Sequence, residues 1–79
     1  MMNNKLTTAL IFLIPQIIEL IKNEYKVDDE KALEMFYLSE LYMRLEEEKT
    51  KLWHLSAYAL FEMFQEEIET GKISYPEEA

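Results

Sequence analysis

Residues 28–48 read DDEKALEMFYLSELYMRLEEE, and the spacing of their apolar side chains sets the fold class. Leu33, Tyr37, Leu41 and Leu45 recur every fourth residue, with Leu38 and Tyr42 widening the stripe. That is the period of a helix with one buried side, not the alternation of a strand. Asp28 stands where an N-cap is wanted, and Asp29 and Glu30 follow in the first turn, where acid suits the positive end of the helix dipole. Glu34 falls within the stripe, towards its exposed N-terminal end. The pattern predicts one continuous helix running from Asp28 into Glu46-Glu47-Glu48-Lys49. Glu47 would pair with Lys51 four residues on if the helix persisted that far.

On the N-terminal side, a first helix is expected over Lys5 to Asn23, capped by Thr7 or Thr8, or by Asn3 or Asn4 if it starts earlier. Leu10, Leu13, Ile14, Ile17, Ile18 and Ile21 define its inner face. Ile11 and Phe12 lie off that face, so its first half is apolar nearly all round. Pro15 has no amide to give the carbonyl of Ile11 and crowds it, which predicts a kink or restart near residues 11–15.

On the C-terminal side, Thr50 to Leu55 reads equally as a connection, a helical turn or a short strand. Ser56 as an N-cap leaves Leu55 and Leu60 at the two positions of a hydrophobic staple, so a third helix is expected from Ala57 to about Thr70. Its inner face is Ala57, Leu60, Phe61, Phe64 and Ile68, with Met63 alongside. Gly71, the sole glycine, falls at the left-handed C′ position. Glu66, Glu67 and Glu69 sit at the wrong end of this helix for its dipole, a local conflict suggesting that they serve something else. Lys72 to Ala79 is expected to be extended, with pairing of Ile73–Tyr75 against Leu52–Leu55 left open. The expected architecture is all-α, a three-helix bundle with a short extended C-terminal tail, in a single helical domain over residues 1–79.

Composition agrees. Of 79 residues, 49% are hydrophobic, and one glycine with two prolines is too few for the many turns of a sandwich or barrel. Without cysteine there is neither a disulfide nor a thiolate zinc site, so stability must come from packing or oligomerisation. Net charge is −8, split −2 over residues 1–45 and −6 over residues 46–79. Such a surface repels phosphate backbones and argues against nucleic acid as a partner. The most apolar run, Ala9 to Ile21, holds ten apolar residues in thirteen. A spanning helix needs about 20, and the run has no small-residue cleavage signal. A buried helix of a cytoplasmic protein, with no membrane contact, is therefore expected.

Chemistry-bearing groups are sparse. His54 is the only histidine, so no Glu-x-x-His or His-x-x-x-His metal spacing exists; it is expected in a connection beside Trp53. Glu46-Glu47-Glu48 and Glu62, Glu66, Glu67 and Glu69 are the densest carboxylates, and acid pairs of this kind can hold a hard cation or act in glycoside chemistry. A solvated face accounts for them without either. Phe36 and Met43 fall off the main stripe of the second helix. With Ile11 and Phe12 they form the candidate partner interface, since three short helices cannot cover all of that surface.

In Thr50-Lys51-Leu52-Trp53-His54-Leu55-Ser56 and Glu66-Glu67-Ile68-Glu69-Thr70-Gly71 the chain resembles short bacterial families of helical domains whose function is unknown. The resemblance covers the C-terminal half and implies a helical fold without a defined activity. The expected function is a non-catalytic, self-associating interaction or regulatory module without cofactor. It would be a homodimer or would bind a protein partner, and would be antitoxin-like or an accessory subunit by analogy of size and charge. The other reading is a small enzyme subunit using the clustered carboxylates.

Overall fold

A computed structural model describes residues 4–73, and the fold is all-α. Four α-helices follow one another: α1 (Asn4–Tyr25), α2 (Asp29–Tyr37), α3 (Glu40–Leu45) and α4 (Ala57–Thr70). Two single 3₁₀ turns, Glu48–Thr50 and Leu52–His54, join α3 to α4. The expected tail beyond Ile73 lies outside the described residues. Its proposed strand partner is settled, because Leu52–His54 is a 3₁₀ turn.

Helix α1 is longer than expected and runs through Pro15 without a restart. Pro15 leaves the carbonyl of Ile11 without a helical donor. One residue on, the Gln16 side-chain amide donates to the carbonyl of Phe12 at 2.9 Å. Lys26 closes the helix in the left-handed region (φ 58°), and the Val27 amide reaches back to the Lys22 carbonyl. Lys22 bridges Glu19 at 3.2 Å and Asp29 at 2.6 Å, tying the end of α1 to the start of α2. These contacts, Asp29 foremost, raise the Lys22 pKa above its ordinary value.

The single second helix predicted from the apolar repeat is in fact two. Asp28 caps α2 as expected, accepting from the Lys31 amide at 2.9 Å. The helix then stops at Tyr37, and Ser39 caps a new one by accepting from the Tyr42 amide at 3.1 Å. The break changes which side chains point inward. In α2 the buried residues are Ala32 and Phe36, whereas Leu33, Tyr37 and Leu38, expected to form the stripe, are exposed. In α3 the inward pair is Leu41 and Leu45, as expected.

Helix α4 follows its local signals. Ser56 accepts from the Ala59 amide at 3.1 Å, and Gly71 ends the helix at φ 82°. Ala57, Leu60, Phe61, Met63 and Phe64 are buried, but Ile68 is half exposed, because the inner face ends a turn before the helix does. The core is completed by Ile17, Ile18 and Ile21 of α1 and by Leu52.

Aromatic rings run through this core. Tyr25 meets Phe64 edge-on at 6.1 Å, Phe64 meets Phe36 at 6.2 Å, Phe36 meets Tyr42 at 5.4 Å and Tyr42 meets Tyr37 at 4.7 Å. Burial, reinforced by the 2.8 Å hydrogen bond to Glu46, pushes the Tyr42 phenol up to about 12. A raised folded-state pKa means the folded chain holds this proton more tightly than the unfolded chain, which releases it near 10. The resulting stability is intact below pH 10 and is lost as pH rises towards 12. Tyr42→Phe is expected to flatten that alkaline decline in urea melts taken between pH 9 and 12. Tyr25 and Lys22, both raised, will leave a residual slope of the same sign.

Candidate functional site

The four residues expected at a partner interface do not share one surface. Ile11 and Phe12 are exposed by 64% and 66% on α1, and Met43 by 60% on α3. Phe36 is 0% exposed and is corrected from interface to core: the break at Ser39 turns it inward with Ala32.

The apolar surface is organised around α1. Thr7, Leu10, Ile11, Ile14 and Pro15 line an open groove whose far wall is Tyr37. Tyr37 was expected in the core; instead its ring stands half exposed, held edge-on by Tyr42 across the α2–α3 break. Leu38, at 80% exposure the most open large apolar residue among the described residues, follows it at the break. Leu33, Tyr37 and Leu38 are the surface residues that the helical repeat missed. Ser39-Glu40, a capping serine with an acid in the next turn, is the local signal that could have revealed them. Around the other side of α1, Lys5, Thr8 and Ala9 line a second open groove with Trp53. The indole N–H of Trp53 is held by the Glu48 carbonyl at 3.1 Å, and its ring lies against His54, which is the connection histidine expected.

Helix α1 extends well beyond the Ala9–Ile21 run at both ends. Over Lys5–Tyr25 it is long and apolar enough to cross a membrane by length and composition, and only 17% of its most apolar stretch is buried. A core helix of a compact domain is mostly covered. The inner side of α1 packs on the core through Ile17, Ile18 and Ile21, with Leu10, Leu13, Ile14 and Leu20 partly buried against it.

The carboxylates are largely occupied with the protein's own donors. Glu67 reaches from α4 to the start of α3, where its two oxygens accept from the amides of Glu40 at 2.7 Å and Leu41 at 3.1 Å. Its clash with the dipole of its own helix is thus offset at the positive end of another. Glu46 accepts from the Tyr42 hydroxyl, and Glu40 pairs with Arg44 at 3.3 Å. Among the described residues no three His, Asp or Glu side chains stand close enough together to hold a metal ion.

No protein-family model matches the chain, and no curated protein or solved structure is significantly similar to it.

Proposed function

We propose that the chain is a small acidic interaction module that works by self-association, non-catalytic and either regulatory or accessory to a larger neighbour. In this reading α2 and α3 act as one broken arm of a three-membered bundle, and the outward side of α1 is the working surface. One observation carries the proposal. Ile11 and Phe12 are each about two-thirds exposed on a helix whose residues 6–18 carry no charged side chain. Exposed apolar surface of this extent, rimmed by charge, is the usual mark of a protein contact. The net charge of −8 supports a protein counterpart over a phosphate-rich one.

Light scattering across a concentration series tests it. The native chain is expected to dimerise in the micromolar range, and Phe12→Asp to remain monomeric. Since Phe12 lies outside the core, that substitution should change monomer stability by no more than about 0.5 kcal/mol. A native chain that stays monomeric at high micromolar concentration overturns the proposal.

A further inference from the structure

We infer that the open groove between α1 and α2 takes a basic amphipathic helix of a second, different protein. This goes beyond self-association and does not depend on it, because Phe12 lies about 100° round α1 from Ile11 and outside the groove. Between Thr7 and Pro15 the groove follows α1 for about 12 Å, or two helical turns. A docking helix with apolar anchors at i, i+4 and i+7 fills that span. Of the lining residues, Leu10 and Ile14 are partly buried against the core, while Ile11, Pro15 and Tyr37 are exposed.

The two walls differ in charge. Residues 6–18 of α1 carry none, whereas residues 28–48, which hold α2 and α3, have eight acids against Lys31 and Arg44, a net −6. On α2, Glu30 and Glu34 fall within about 60° of Tyr37, two turns and one turn before it. Glu34 meets Lys31 at 3.5 Å with both side chains more than half exposed, and Glu30 is in no ion pair among the described residues. Behind Tyr37, Glu46 accepts from the Tyr42 hydroxyl, a neutral donor that leaves the carboxylate charge in place. An apolar groove with one acidic wall is complementary to an apolar stripe flanked by lysine or arginine.

A second copy does not supply such a helix. The α4 sequence contains no lysine or arginine, α2 and α3 hold one each, and α1 is uncharged over its apolar half. Anionic headgroups would meet the same acidic wall and be repelled.

The test uses a fluorescein-labelled leucine–lysine peptide of about 18 residues, with leucine at helical i, i+4 and i+7 spacing. Anisotropy is expected to show binding below about 100 μM, and none for the leucine–glutamate counterpart. Ile11→Asp should weaken binding roughly tenfold and Ile11→Ala roughly threefold. The aspartate adds negative charge, which alone would strengthen binding of a cationic peptide, so its loss reports the apolar contact. Glu30→Gln with Glu34→Gln should weaken binding roughly fivefold. Removing two charges from α4, by Glu62→Gln with Glu69→Gln, should change it less than about twofold. Circular dichroism of each variant checks that the fold is retained.

Phe12→Ala should bind the peptide as the native chain does while weakening self-association, so the two readings fail separately. A native chain that stays monomeric yet binds the peptide in this pattern overturns self-association and leaves the groove standing. Absence of peptide binding overturns the groove. So does binding that ignores Ile11→Asp, or that falls equally with the acids of α4, since that is attraction to overall charge. A chain that ignores the peptide but floats with phosphatidylcholine vesicles, with Ile11→Asp abolishing flotation, overturns it in favour of lipid.

Discussion

Phe36→Ala is expected to destabilise the monomer by about 3–5 kcal/mol, the range for emptying a fully buried aromatic site. A domain of this size has roughly 4–12 kcal/mol of stability in total. The variant should therefore be largely unfolded at 37 °C or melt far below the native chain. The ring contacts Tyr37, Tyr42 and Phe64, so its loss loosens α2, α3 and α4 together. Circular dichroism melts beside light scattering make the reading specific. An interface phenylalanine would give a folded monomer, and that outcome would return Phe36 to the surface. Phe12→Ala is the paired control, with the opposite result expected: normal melting and weakened association.

The contrast between those two phenylalanines shows which parts of the fold could be read locally. Helix α4 was legible because its limits depend on neighbours in sequence: the Ser56 hydroxyl serves an amide three residues on, and Gly71 supplies the left-handed residue itself. The exposure of Ile11 and Phe12 was legible because both lie off the inner face of α1, and a helix cannot bury every side at once. The α2–α3 break was not. Leu33, Tyr37, Leu41 and Leu45 keep a four-residue repeat straight across Ser39, so periodicity alone counts them as one face. The chain in fact changes phase there, taking Leu33, Tyr37 and Leu38 outward and Phe36 inward. Ser39 marks the place, but serine also occurs inside helices with its side chain in solvent. What secures the new helix is an acceptor 27 residues away in sequence, beyond any local pattern.

Removing that acceptor is accordingly expected to have the next largest effect, with Glu67→Ala costing about 2 kcal/mol. Three amides open α3. Ser39 serves that of Tyr42, and Glu67 serves those of Glu40 and Leu41 with one oxygen each. Both Glu67 bonds are partly buried and charge-assisted, so water replaces the lost carboxylate only in part. A helix of six residues has little stability of its own and depends on such anchors. Glu67→Gln keeps one acceptor oxygen without the charge, and should lose about half as much. Glu69→Ala removes a neighbouring exposed acid from the unfavourable end of α4, and should leave stability within about 0.5 kcal/mol of native. Urea melts give the three values, and hydrogen exchange locates the cause: the Glu40 and Leu41 amides should exchange faster in Glu67→Ala while those of mid-α4 slow only in proportion to global stability. Coincident melts for the native chain and Glu67→Ala would mean that α3 holds its place by packing alone. The acids at the end of α4 would then be a solvated face and nothing more.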